Sequence, residues 1–149
     1  MYFSALVVKN YYYMTQKELN DIAYDIVGCA IEVHKQLGPG LLESVYEECL
    51  IEEIKRNGML VESQVKIPLI YKGKLLNTEL KLDILVNNCI IVELKSVEAI
   101  LPVHKAQLLT YLKLTGIAKG LLINFNCDNI VKSGLVPLVT DKFAELKKE

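Results

Sequence analysis

Asp83 is followed, nine intervening residues later, by Glu93-Leu94-Lys95, and these ionisable side chains interrupt an otherwise apolar stretch containing Ile90, Ile91, Val92 and Leu94. A carboxylate and an ammonium are costly to bury in such a run unless they pair or hold a metal. Glu93 and Lys95 stand two apart on an extended segment, so their side chains share one face. Two carboxylates and the strand carbonyl of Leu94 are hard oxygen donors that suit Mg²⁺ or Mn²⁺. A lysine beside them can orient an attacking water or help deprotonate it, while the cation stabilises charge on a scissile phosphate. Taken alone, Glu93 and Lys95 also read as one salt bridge at a strand end. Asp83, on the preceding strand, distinguishes the two readings only if it reaches Glu93. A two-residue turn at Asn87-Asn88 would set Asp83 opposite Val92, facing away from Glu93. A three-residue loop through Cys89, or a bulge, brings both acids to one face.

Two further patterns carry polar groups. His104, Gln107 and Tyr111 follow the i, i+3, i+7 stripe of a helix and therefore share a face, although solvent exposure is the cheaper explanation. Gly40-x-x-Glu43-x-x-Tyr46 opens a second helical segment. Glu43 falls in its first turn, where the helix dipole favours an anion whatever the function, and Tyr46 follows about one turn later. By itself this is an ordinary helix start.

The elements that must position these residues are legible from periodicity. Thr15-Gln16-Lys17-Glu18 is a capping box. Behind it, Leu19, Ile22, Ala23, Ile26, Val27, Ala30, Val33 and Leu37 mark a long amphipathic helix that ends at Gly38-Pro39-Gly40. A second helix buries Leu42, Val45, Tyr46, Cys49, Leu50 and Ile54 and stops at Asn57-Gly58. The period then changes to two. Val61 to Leu69 is one strand, Leu76 to Val86 the next after a turn at Lys72-Gly73, and Cys89 to Lys95 a third. Pro102 starts a helix running to about Gly116, Gly120 to Phe125 is an apolar strand, and a short charged helical stretch begins near Asp141. The expected fold is α/β: an αβββαβ core with a mixed sheet flanked by helices and an extra N-terminal helix. Residues 1–14 read as an N-terminal extension and residues 15–149 as a single domain, with Met14 a candidate initiator.

Composition bounds the function. The 149 residues are 52% hydrophobic and 23% charged, which is globular rather than disordered. No apolar run approaches a membrane span, and the opening residues lack the basic start and small-residue cleavage site of a signal peptide. Cys29, Cys49, Cys89 and Cys127 form no CxxC pair, which argues against zinc and disulfides and points to the cytoplasm. The net charge of −1 excludes a protein that holds nucleic acid by a general basic surplus, so any such contact is local and aided by a cation.

The stretches HKQLGPGLLESVYEECL (from His34), LKLDILV (from Leu80), IIVELKSVEAILPVHKAQLLTYLKLTG (from Ile90) and GLLINF (from Gly120) together resemble the GxxExxY proteins. These are a small prokaryotic group in the PD-(D/E)XK nuclease superfamily, and the likeness covers about residues 15 to 135. It implies a restriction-endonuclease-like αβββαβ core, a divalent metal, and nucleic acid, foremost DNA, as partner. It also implies that Glu43, Asp83, Glu93, Lys95 and Gln107 occupy the superfamily's site positions, with Asp83, Glu93 and Leu94 as metal ligands. Gln107-x-x-x-Tyr111 looks like the extra motif of RecB-type members, which adds Tyr111 to the catalytic set, and Tyr46, His104 and Lys81 are candidate substrate contacts. Lys81 stands where arginine is expected, keeping the charge but losing the planar fork. The function expected is metal-dependent phosphodiester hydrolysis. The alternatives are a catalytically weak nucleic-acid-binding or accessory module of the same fold and a protein-interaction domain. Association of copies is left open.

Overall fold

The structure, a computed structural model, describes residues 14–149; the N-terminal extension before Met14 lies outside the described residues. Helix α1 (Gln16–Leu37) starts on the capping box. The Thr15 hydroxyl accepts the Glu18 amide at 3.1 Å, and the Glu18 carboxylate accepts the Thr15 amide at 3.3 Å. Its apolar stripe, Leu19, Ala23, Ile26, Ala30 and Val33, is buried. Gly38, with φ 69°, closes the helix in a backbone conformation that side chains disfavour.

Helix α2 (Glu43–Arg56) follows a loop that Tyr46 holds in place. The Tyr46 hydroxyl donates to the Gly38 carbonyl at 2.6 Å and accepts the Leu41 amide at 3.1 Å, while its ring stacks on Phe125 with centroids 4.7 Å apart. Tyr46 has no exposed surface. Removing only the hydroxyl leaves the partly buried Gly38 carbonyl and the Leu41 amide without this partner, so Tyr46→Phe should destabilise the protein by about 1 kcal/mol. A urea titration measures this, and an unchanged midpoint would show that the loop is held by packing alone.

Strands β1 (Val61–Tyr71), β2 (Lys74–Val86), β3 (Ile90–Lys95), β4 (Lys119–Asn124) and β5 (Leu135–Val139) form one sheet in that order. β1, β2 and β3 are successive antiparallel neighbours. Helix α3 (Pro102–Thr115) then carries the chain over to β4, parallel to β3, and β5 returns antiparallel. This is the mixed sheet expected, with one more strand. β5 escapes a periodicity reading because Pro137 interrupts it, and proline is tolerated on an edge strand where one row of amides needs no partner. A π-helical turn at Ile130–Gly134 precedes β5, and a short α4 (Asp141–Glu145) ends the fold.

Helices cover both faces. On one, α1 and α2 pack on Ile84, Val86, Ile90, Val92, Leu94, Leu121 and Ile123. On the other, Leu108, Tyr111 and Leu112 of α3 pack on Leu85, Ile91 and Leu122. α3 lies so close to β4 that a β-carbon on Gly120 would come within 2.9 Å of Leu108. Since side chains alternate along a strand, Glu93 and Lys95 project on the Ile91 side, toward α3. No helix among the described residues is long and apolar enough to cross a membrane.

Candidate active site

The β2–β3 hairpin takes the longer of the two loops the sequence allows. Val86 pairs with Ile90, Leu85 with Ile91 and Ile84 with Val92, leaving Asn87, Asn88 and Cys89 as the loop. Both asparagines adopt left-handed backbone, at φ 49° and 55°, and the Cys89 amide closes the turn on the Val86 carbonyl at 3.0 Å. One step beyond the last ladder pair, Asp83 therefore stands across from Glu93.

There the two strands part, and side chains replace the ladder. The Asp83 amide donates to Glu93 Oε1 at 3.2 Å, and the Leu94 amide donates to Asp83 Oδ2 at 2.9 Å. Each acid thus holds the backbone of the opposite strand. The N–H and C=O of a strand residue point to the same edge, so the Leu94 carbonyl also opens toward this fork. The Lys95 carbonyl points the other way and accepts the Phe125 amide at 2.9 Å.

Glu93 is 4% exposed. Burial pushes its carboxyl up to about 9, reinforced by the Asp83 charge and a side-chain hydrogen bond with Asp83; the Asp83 amide and Lys95 oppose this more weakly. At neutral pH Glu93 of the metal-free protein therefore keeps its proton. A cation seated between the two acids would displace that proton, so metal binding and proton release are linked. Among the described residues no three His, Cys, Asp or Glu side chains cluster as a metal cage. The available donors are two carboxylates and one carbonyl, all oxygen. That set fits Mg²⁺ or Mn²⁺, which keep several waters, and does not fit a structural zinc.

The other candidates lie on the two helical layers. On α3, Tyr111 is 6% exposed; burial, then the charges of Glu93 and Asp83, push its hydroxyl up, against a hydrogen bond from Gln107 Nε2 at 3.1 Å. Gln107 itself is exposed and meets the acid pair through Tyr111. On the α2 side, Glu43 is exposed in the first turn. Its loop is strapped to the end of β3 by Ser96, whose hydroxyl donates to the Leu41 carbonyl at 2.6 Å. Lys95 is half-buried at the end of β3.

Glu47 is a carboxylate that motif reading passed over. Burial raises its proton affinity first, and the charge of Asp83 adds to it. Gln64 Nε2 holds it, at 2.9 and 3.2 Å from its two oxygens. Gln64 sits in β1 between the Ser63–Ile84 and Val65–Leu82 pairs, hence opposite Asp83, and its φ of 52° breaks the strand there. Glu47 lies four residues after Glu43, on the same face of α2, and that spacing was the available signal.

Of the three expected substrate contacts, the structure removes one. Tyr46 is buried with its hydroxyl committed to the α1–α2 loop, which makes it a structural latch and removes it as a surface contact. His104 Nδ1 accepts the Leu101 amide at 3.0 Å, capping the start of α3. Lys81 is exposed, two residues from Asp83. The four cysteines are free. Burial pushes Cys29 up to about 11 and Cys89 up to about 12, which takes both out of nucleophilic chemistry.

A family model described as the PD-(D/E)XK nuclease superfamily matches residues 20–135. Comparison with curated proteins finds no match, and comparison with solved structures finds none.

Proposed function

Because the chain belongs to the PD-(D/E)XK nuclease superfamily, we propose that it is a divalent-metal-dependent nuclease that hydrolyses phosphodiester bonds in DNA. The observation that carries this reading is the fork: Asp83 and Glu93 face each other beside the Leu94 carbonyl, with Lys95 on the Glu93 face. Asp83, Glu93 and the Leu94 carbonyl would hold Mg²⁺ or Mn²⁺. When bound, the cation supplies Lewis-acid stabilisation of the charge that builds on the phosphate. Lys95 orients the attacking water and offers a positive charge to the reacting phosphate. Tyr111, steadied by Gln107, borders the acid pair from α3. Glu43 and the Gln64-held Glu47 border it from α2, where either can accept a hydrogen bond from water. Free thiols support a cytoplasmic setting.

The test is direct. The protein should nick or linearise plasmid DNA with Mg²⁺ or Mn²⁺, stop when EDTA is added, and lose this activity in Glu93→Ala. Parallel incubations with single-stranded DNA and RNA define the substrate. Absence of cleavage of every nucleic acid with both metals would overturn the proposal.

A further inference from the structure

The sheet does not end where its ladder to β3 ends. β2 pairs with β3 only through Ile84, Leu85 and Val86, yet it stays paired with β1 out to Lys74. Residues 65–82 therefore form a two-stranded arm running outward from the acid fork. Its base is anchored by Ile67 and Leu82, both buried with Leu108 and Tyr111 of α3. Its tip is bare, with Ile70, Tyr71 and Leu75 at 55%, 62% and 64% exposure. A lone hairpin is marginally stable in water, so a long exposed one asks for a partner.

Resting on the nuclease reading, we propose that this arm is the surface that grips the phosphate backbone of the nucleic acid and feeds it to the acid pair. Charge selects the partner. Residues 65–82 carry Lys66, Lys72, Lys74 and Lys81 against Glu79 alone, a net +3 in a chain of −1, so everything outside the arm sums to −4. All four lysines are exposed. Lys66 and Lys81 are directly opposed across the two strands, an arrangement that costs stability unless an anion lies over it. Among the described residues their one ion pair, Lys66 with Glu79, is long, at 3.9 Å, and solvated. Lys72 and Lys74 flank the Gly73 turn, and Lys72 Nζ lies 5.5 Å from the centre of the Tyr71 ring. The tip thus offers cations beside an exposed aromatic, a pairing that suits backbone and base together. Lys81 lies two residues before Asp83 along β2, which places the opposed lysines next to the acid fork in the chain. From Asp83 to Lys74 the arm reaches on the order of 25 Å, most of a duplex turn of about 34 Å. It resolves the difficulty that the net charge poses: the cationic grip is local and lies beside the acids, not over them.

The test measures anisotropy of a labelled 20-base-pair DNA duplex in Ca²⁺ over a range of KCl concentrations. Lys72→Ala/Lys74→Ala and Lys66→Ala/Lys81→Ala should each lower the slope of log affinity against log salt by about two and weaken binding about 10–100-fold near 0.15 M salt. The paired arginine substitutions should restore the slope. Urea midpoints no lower than that of the unmodified protein, with unchanged Mn²⁺ affinity, would show that fold and acid pair are intact. Tight binding by the unmodified protein with slopes that the alanine pairs leave unchanged would overturn the arm alone. Arm-dependent binding without cleavage under any metal would overturn the nuclease reading and leave the arm standing. No binding by the unmodified protein would overturn both. Loss of self-association in the alanine variants, with DNA affinity unaltered, would assign the arm to a second copy of the chain instead.

Discussion

Lys95→Ala is expected to bind Mn²⁺ as tightly as the unmodified protein and to cut DNA about a thousand-fold more slowly. The lysine offers no electron pair to a cation while protonated, so its removal takes away no ligand. Its charge has two opposed effects on metal affinity. It repels the incoming cation, and it helps Glu93 release its proton. Deleting it relieves the first and forfeits the second, so the net change in affinity is small. Cleavage has no such cancellation, because orienting water and stabilising charge are each worth roughly 10²–10⁴ in rate. Calorimetric titration with Mn²⁺ beside single-turnover cleavage separates the two quantities. Cutting at the original rate would remove Lys95 from the chemistry. Loss of metal affinity together with cutting would make it a structural partner of Glu93.

The second large effect is a pH dependence set by Glu93. Its carboxyl goes from a reference value of 4.5 to about 9 in the folded, metal-free protein. A raised folded value means that the protonated form is the one folding favours. The contribution of Glu93 to stability is thus fully present below about pH 4.5 and is lost as pH rises toward 9. Within that window the metal-free protein should lose up to about 1.4 kcal/mol of stability per pH unit from this group. Glu93→Gln, which cannot ionise, should flatten the slope and be the more stable protein at pH 9. Metal reverses the sign, because the cation competes with the proton. Mn²⁺ affinity should rise up to tenfold per pH unit across the window, with about one proton released per ion. Calorimetry in buffers of different ionisation enthalpy counts that proton. An affinity independent of pH would place the metal somewhere other than this acid pair.

What the residues announced in advance, and what they hid, follow from how local each cause is. Thr15 and Glu18 fix the start of α1 through bonds within four residues, and the i, i+3, i+4 stripe that follows is read straight off the chain. The Asp83–Glu93 pairing was narrowed to two hairpins, since the loop conformation turns on whether Cys89 joins two left-handed asparagines or begins the next strand. The Pro137 strand was hidden because its justification is its position at the sheet edge, a property of the whole fold. Tyr46 was legible as an inward residue of the second helix, but the loss of its other reading, as a substrate contact, was hidden for a similar reason. A tyrosine one turn after a glutamate looks like a surface partner until Phe125, from the other end of the chain, is known to stack on it. The spacing of Glu47 from Glu43 puts it on the same helix face, but its place beside Gln64 and Asp83 depends on how the strands meet α2.

Loops are ordinarily where a lineage can add or drop a codon without harm. The Asn87–Cys89 loop has no such freedom. Strand side chains alternate with period two, so adding one residue while the turn stays three residues long would pair Val86 with Cys89 and rotate every residue of β3 onto the opposite face. Glu93 and Lys95 would be driven in among the residues beneath α1 and α2, and Val92 would come to face Asp83. The core would lose its apolar lining in the same step that removed the acid pair, so folding and chemistry would fail together. A single codon in this turn thereby holds the reading frame of the site in space as well as in sequence.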